Sequence, residues 1–211
     1  MEIQQKKLVC SLLWCKADSN LQRRCEMQPI EDLKMEHEAV TITLRILDSI
    51  CKEIERTGII SSPDHLKQLI EFFRTFVDKC HHGKEEELLF PALEEVGVSR
   101  DGGPIGVMLK EHQQGRDLVA KMNASLTQYS EGNRDSVADL IQYARAYIVL
   151  LNQHIDKENK VLFPIADRHL SSEKKSVLWE GFETIETQKI GAGKHEAFHR
   201  MIEALERIYL R

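Results

Sequence analysis

Hydrophobic positions recur at alternating intervals of three and four residues over four stretches of the chain, which is the period of one helix face. The first stretch begins at Ile30 and ends before Gly58, a residue type that commonly ends helices. Pro63 follows two serines and suits the first turn of the second stretch. Breaks at residues 101–104 and 131–133 separate the remaining stretches. The pattern therefore predicts four amphipathic helices.

Four amphipathic helices with short connections predict an all-α fold, an up-down-up-down four-helix bundle. The chain has 211 residues, enough for one domain with appendages. We divide it into an N-terminal appendage, residues 1–29, a bundle domain, residues 30–168, and a C-terminal extension, residues 169–211. Periodicity over 171–188 and 194–210 predicts two extra helices packed outside the bundle.

Polar residues interrupt all four apolar stripes, and they are the informative exceptions. Each stripe contains a histidine, and two stripes add a glutamate four residues later, on the same helix face. The set consists of His37, His81, Glu85, His112, His154 and Glu158. Burying unpaired carboxylates would cost several kcal/mol each, which bound cations would remove. Four imidazoles and two carboxylates suit two transition-metal ions, with two histidines on each, bridging glutamates and open positions for small molecules.

The second and fourth helices share a gap-free internal repeat, H-x-x-K-E-x-x-x-L-F-P, which begins at His81 and at His154. Helices one and three match more weakly, each through a Glu-His pair ending at His37 and at His112. The bundle is therefore predicted to consist of two related helical hairpins about a pseudo-twofold axis.

A competing register exists in the second helix, because His82 and Glu86 are also four residues apart. The repeat with the fourth helix favours His81 and Glu85 as the ligands. We expect His82 and Glu86 to be solvated or to support the ligands from outside. The two lysines of the repeat, Lys84 and Lys157, are predicted to lie on the surface.

These motifs resemble the hemerythrin family of HHE cation-binding domains over about residues 30–168. The resemblance implies a non-haem diiron centre, with two Fe ions bridged by the carboxylates of Glu85 and Glu158. Oxygen-carrying hemerythrins take a fifth histidine from the third helix, where this chain has Met108 and Arg116. They also use an aspartate at the position of Glu158.

The set of four histidines and two glutamates is more similar to bacterial members linked to nitric-oxide stress and the repair of iron–sulfur clusters. Those carry a cysteine-bearing N-terminal domain, which residues 1–29 do not clearly match. Without a fifth histidine, both irons are expected to keep open positions, which favours reaction or ligand exchange. We therefore favour a redox-active diiron protein that binds or reacts with O₂, NO or peroxide, without asserting catalysis. The alternatives are an enzyme or iron donor in oxidative or nitrosative stress, and iron holding without gas chemistry.

Composition limits the classes of binding partner and the cellular compartment that we expect. A net charge of −5 provides no basic footprint for nucleic acid, and the apolar runs are too short to span a membrane. Five irregularly spaced cysteines do not indicate a disulfide framework, so we expect a cytoplasmic protein whose partners are small molecules. Lysines followed by apolar residues at 6–15 resemble a signal peptide only weakly.

Three further features have two interpretations each. His195 and His199 match the zinc-protease string H-E-x-x-H, but the twelve residues that follow provide no clear third ligand, so an amphipathic surface helix is favoured. Tyr147 lies two turns before His154 and is either a site residue or, as we favour, a core aromatic. Gly115 leaves room for a ligand channel or permits close helix packing.

Overall fold

The computed structural model describes residues 29–191 and 193–210, and all regular secondary structure in these ranges is helical. The predicted appendage lies outside the described residues, except for Pro29, where the first helix begins. Helix α1 spans Pro29–Thr57. Helix α2 consists of the successive pieces Pro63–Phe72, Phe73–His82, Glu85–Leu89 and Phe90–Glu95.

The third and fourth helices follow after short connections. Helix α3 spans Pro104–Ser130. Helix α4 consists of the pieces Ser136–Lys157, Glu158–Leu162 and Phe163–His169. Two C-terminal helices complete the described chain: α5, with the pieces Ser172–Ile185 and Glu186–Ile190, and α6, Lys194–Tyr209. The predicted all-α bundle with extra C-terminal helices is confirmed.

Glycine and proline residues mark the ends and beginnings of the helices. Gly58 follows α1 with a φ of 71°, and Gly132 follows α3 with a φ of 103°, a region that residues with a Cβ rarely adopt. Pro63 and Pro104 each occupy a first-turn position, where a missing N–H costs no helical hydrogen bond.

The core consists of two apolar clusters at opposite ends of the bundle. In α1, Ile30 and Leu33 belong to one cluster, whereas Val40 and Leu44 belong to the other. His37 lies between them in the chain, so the polar residues of the stripes form a layer between two apolar regions. The C-terminal helices share this core, because Phe182 of α5 belongs to the cluster of Ile30, and Ile190 of α5 and Ile202 of α6 belong to the cluster of Val40.

The predicted stripes are wrong by one residue just beyond each glutamate of the repeat. Continued at the α-helical interval, the two stripes would reach Leu88 and Val161, but Leu88 is only partly buried and Val161 is 49% exposed, whereas Leu89 and Leu162 are buried. The pieces Glu85–Leu89 and Glu158–Leu162 are π-helical. A π-helical turn contains an additional residue, so it delays the next inward position by one. Within the described ranges, no helix is long and apolar enough to cross a membrane.

Candidate metal centre

The structure brings all six predicted ligands together in the polar layer of the bundle. They form two buried clusters that share Glu85. The first cluster consists of His37, His81, Glu85 and Glu158. The second cluster consists of His82, Glu85, His112 and His154. In each cluster, one ligand atom from every member lies within 4.8 Å of the others, which is a spacing that a single ion can bridge.

The histidines approach one another in pairs through their Nε2 atoms. The Nε2 atoms of His37 and His81 are 3.0 Å apart, and those of His112 and His154 are 3.2 Å apart. Two nitrogen ligands at about 2.1 Å from one ion, at right angles, lie about 3.0 Å apart. The spacing within each pair therefore fits two adjacent ligands of one metal ion.

The two glutamates lie between the histidine pairs. Glu85 places Oε1 3.8 Å from Nε2 of His81 and Oε2 3.4 Å from Nε2 of His112. Glu158 places Oε2 3.1 Å from Nε2 of His37 and Oε1 3.2 Å from Nε2 of His154. Each carboxylate therefore presents one oxygen to each histidine pair, which is the arrangement that a bridging carboxylate requires.

Hydrogen bonds on the outer side of each imidazole orient it towards the centre. The Nδ1 atoms of the four paired histidines each contact an oxygen acceptor. The partners are Asn159 for His37 at 3.0 Å, Glu36 for His81 at 2.8 Å, Glu86 for His112 at 2.7 Å and Glu111 for His154 at 3.1 Å. An acceptor at Nδ1 holds a proton there, and the neutral form of such a ring directs an Nε2 lone pair inward. Nε2 lone pairs at this spacing repel one another unless a cation lies between them. Histidines that bind metal ions commonly donate a hydrogen bond from the other ring nitrogen in this way.

Burial determines the charge state of the imidazoles. It lowers the pKa of His81 and, more strongly, that of His112. Burial also lowers the pKa of His82 to about 3. The three rings are therefore neutral near pH 7, and metal coordination requires the neutral form.

The bridging carboxylates are buried in an environment that provides no compensating donor. All four oxygens of Glu85 and Glu158 lack a hydrogen-bond partner within the described protein. Burial raises the pKa of Glu85 well above its usual range, and the neighbouring charge of Glu158 raises it further. Cations at the centre would allow Glu85 to ionise beside the charged Glu158, so the donor set fits metal ions.

The Leu-Phe-Pro part of the internal repeat also has a role at the centre. The ring of Phe163 stacks on His37, with centroids 5.3 Å apart, and the ring of Phe90 stacks on His112, with centroids 5.8 Å apart. Each phenylalanine thus covers a histidine of the other hairpin. Stacking fixes the imidazole plane and excludes water from that side of the centre.

One sequence prediction around the second helix is wrong. Lys84 is buried, with 0% of its side chain exposed, because Asp32, Glu36 and Glu186 each accept a hydrogen bond from Nζ at 2.7 Å. The lysine at the equivalent position of the repeat, Lys157, is on the surface as predicted.

His82 is not solvated but buried as a member of the second cluster. Its neighbour in the competing register, Glu86, does support a ligand from outside, since it contacts Nδ1 of His112. A second histidine in a buried helix was a sequence signal that His82 lies near the centre. The equivalent position of the repeat in α4 is Ile155, so the repeat favoured His81 alone.

His195, Tyr147 and Gly115 were each given two interpretations from the sequence, and the structure favours packing over a role in a site. His195 packs edge-on against Phe76 and, among the described residues, it shares no candidate metal cluster with His199. The ring of Tyr147 packs against Phe73 as a core aromatic. A Cβ added at Gly115 would lie 3.6 Å from Tyr147, which indicates close helix packing rather than a channel.

Comparisons with known proteins agree with this geometry. A model of the hemerythrin HHE cation binding domain matches residues 28–166. An uncharacterized protein of Mycobacterium tuberculosis is 27% identical over 161 residues, which are 76% of this chain and 62% of that protein. The iron-sulfur cluster repair protein YtfE of Yersinia pestis is 36% identical over 91 residues, 42% of this chain and 41% of YtfE.

The chain thus spans less than two thirds of the length of these relatives. No solved structure shows a significant match. The family match nevertheless covers well over half of the chain, and it includes every helix that provides a candidate ligand. The chain belongs to the hemerythrin HHE cation-binding family.

Proposed function

We propose that this protein is a non-haem diiron protein that binds or reacts with O₂, NO or peroxide. Each histidine pair would hold one iron, and Glu85 and Glu158 would bridge the two. The observation that carries the proposal is the position of these two carboxylates, each of which presents one oxygen to each pair at 3.1–3.8 Å.

The donor set supports iron over the common alternatives. Both clusters combine imidazole with carboxylate and, among the described residues, neither contains a cysteine. Structural zinc sites are usually closed tetrahedra of thiolate and imidazole, whereas mixed nitrogen and oxygen donors with open positions suit iron. When bound, two irons supply reversible electron transfer to small oxidants. The chain contributes four imidazoles held in place through Nδ1, two carboxylates and a centre enclosed by apolar residues.

Metal analysis tests the proposed centre. Protein produced in iron-replete cells should contain about two irons per chain, and His81→Ala and Glu85→Ala should each reduce that content. His199→Ala is a matched control, because it removes a histidine outside both clusters and should retain both irons. A content near one zinc per chain, unchanged in His81→Ala and Glu85→Ala, would refute the proposal.

Reactivity separates the possible roles of the centre. The iron-loaded protein is reduced anaerobically and mixed in a stopped-flow instrument with O₂, NO or H₂O₂. An absorbance change that reverses on removing the gas would support a carrier or sensor, and repeated consumption of peroxide or NO would support an enzyme. Absence of any reaction would support iron holding alone.

A second candidate is iron donation to damaged iron–sulfur clusters. The similarity to YtfE, a protein named for cluster repair, favours it. Incubation of the ⁵⁷Fe-loaded protein with an apoprotein that accepts a [4Fe–4S] cluster should then transfer the label in the presence of sulfide.

Cys51 and Cys80 are free and buried, which agrees with the cytoplasmic location that we propose.

A further inference from the structure

Helix α5 follows the part of the chain that matches the family, yet it packs on the segment of α2 that carries two candidate ligands. The family match ends at residue 166, before α5 begins. Gly181 of α5 permits a close approach, because a Cβ there would lie 2.7 Å from a methyl group of Leu88. A Cβ on Gly83 of α2 would lie 3.8 Å from Ile185 of α5. The contacts of α5 with α2 therefore lie on either side of Glu85 along the chain.

A buried lysine joins α5 to the first helix. The Nζ atom of Lys84 donates a hydrogen bond to Glu186 of α5 at 2.7 Å. The same nitrogen donates to Asp32 and Glu36 of α1, also at 2.7 Å. An ammonium group has three N–H donors, so these three carboxylates satisfy it completely. The position of the ammonium group therefore depends on α5 as well as on α1.

One of these carboxylates also orients a candidate metal ligand. Glu36 accepts a hydrogen bond from Lys84 at Oε1, and at Oε2 it accepts one from Nδ1 of His81 at 2.8 Å. The opposite nitrogen of His81 points to the centre, 3.0 Å from that of His37. This chain of hydrogen bonds connects Glu186 to His81. The exposed fraction of its side chains rises from 0% at Lys84 to 7% at Glu36 and 14% at Glu186, so water screens the charges weakly.

Two other ligands are oriented from within the bundle. The outer acceptor of His112 accepts a hydrogen bond from Arg116 of α3, and that of His154 forms an ion pair with Lys157 of α4. Both cations lie inside the region that matches the family. Lys157 occupies the position of Lys84 in the repeat, but 39% of its side chain is exposed. The connection to α5 thus distinguishes the first cluster from the second.

We infer that Glu186 is a positioning residue for the metal ligand His81, and that α5 thereby controls how strongly the first cluster binds iron. This inference rests on the proposed diiron centre. A carboxylate that accepts a hydrogen bond from a metal-bound imidazole fixes the ring and raises its basicity. Without Glu186, one N–H of Lys84 loses its acceptor, and two carboxylates share the ammonium charge instead of three. Glu36 then accepts more weakly from His81.

A weaker hydrogen bond at His81 changes the electronic properties of the centre. A less basic imidazole destabilises ferric iron more than ferrous iron, because the higher charge depends more strongly on the donor. Loss of the negative charge of Glu186 acts in the same direction. The reduction potential of the centre therefore rises, and ferric iron is held more weakly in the first cluster. The second cluster is oriented by other residues and keeps its affinity.

The test compares the full-length protein with Glu186→Met and with the control Glu87→Met. Methionine keeps an apolar stem of similar length and removes the carboxylate. Glu87 is a matched control, because it also joins α2 to α5, through an ion pair with Lys189 at 2.7 Å, but 52% of its side chain is exposed.

Three measurements are made below the melting temperature of each variant. Competition with a chelator should show one of the two ferric ions weakened by about tenfold in Glu186→Met, and both retained in Glu87→Met. A redox titration should show a higher reduction potential in Glu186→Met alone. Mössbauer spectra of the ⁵⁷Fe-loaded protein should change in half of their intensity in Glu186→Met and remain unchanged in the control.

A double variant tests whether Glu186 acts through the lysine. In a Lys84→Met background the chain of hydrogen bonds is already broken, so Glu186→Met should change the ferric affinity by no more than about twofold. A further tenfold loss in the double variant would overturn the inference, because Glu186 would then act on the centre by another route.

The outcomes separate this inference from the proposed function. Wild type with two irons, together with Glu186→Met of unchanged affinity and potential, would overturn the inference alone, as would equal changes in Glu186→Met and Glu87→Met. Wild type with fewer than two irons would overturn the proposed function as well. If Glu186→Met fails to fold, Glu186→Gln keeps a neutral and weaker acceptor, so its potential should rise by a smaller amount. An unchanged potential in that variant would overturn the inference.

Discussion

The burial of Lys84 leads to a prediction about stability. Its ammonium group donates to Asp32 and Glu36 of α1 and to Glu186 of the C-terminal π-helical piece of α5, each at 2.7 Å. Substitution by methionine keeps most of the apolar stem and removes the charge. Lys84→Met therefore leaves a group of buried carboxylates without the ammonium that joins them.

The size of the effect follows from the burial of the group. Burial alone would lower the pKa of Lys84, but the charges of Glu36, Asp32 and Glu186 raise it well above its usual range, so the lysine is charged when folded. Removal of one partner from a buried ion pair costs about 3–5 kcal/mol. In a chain of this size, each kcal/mol shifts the melting temperature by about 2–4 °C. We expect Lys84→Met to lower the melting temperature by about 10 °C.

The internal repeat provides a matched control. Lys157 occupies the equivalent position in α4 and contacts Glu111, which in turn contacts Nδ1 of His154. Its side chain is 39% exposed, and exposed ion pairs contribute about 0–1 kcal/mol. Lys157→Met should therefore shift the melting temperature by less than about 4 °C.

The assay is thermal and urea unfolding of both variants and wild type, without metal, followed by circular dichroism. Removing the metal separates the stability of the ion pairs from any change in metal affinity. Equal losses of unfolding free energy in Lys84→Met and Lys157→Met would refute the reasoning, since burial would then have no energetic consequence.

Three further predictions concern other parts of the chain. Gly115→Ala should raise the unfolding free energy by up to about 1 kcal/mol, since its methyl would meet Tyr147 in an ordinary contact at 3.6 Å; destabilisation in urea would contradict this. Asp48→Asn should cost about 0.5 kcal/mol at pH 7, because a hydrogen bond from Lys52 lowers the pKa of Asp48. A lowered folded-state pKa stabilises above the unfolded value of about 3.9 and is lost as the pH falls through the folded value, so the difference should disappear at pH 2; a constant difference would argue against it. Deletion of residues 1–26 should leave the iron content unchanged, since every candidate ligand lies further along the chain, and metal analysis of that variant would show any dependence.

Local signals in the sequence determined the helices and most of the candidate ligands. Gly58 follows the end of α1 because glycine adopts a positive φ without strain. Pro63 begins α2 because proline lacks the N–H that the helix interior requires. A histidine followed four residues later by a glutamate indicates a metal site because both side chains share a helix face. These signals depend only on neighbouring residues, so they were predictable without a structure.

Only the tertiary structure decided what each of these faces meets. Lys84 and Lys157 occupy the same position of one repeat, yet the first is buried and the second is not. The difference arises because α5 brings Glu186 to Lys84 across 102 residues of sequence. His82 likewise faces the centre because a π-helical turn changes the angle between consecutive side chains. Helical periodicity specifies the face on which a residue lies, whereas distant elements and local changes of pitch specify what covers that face.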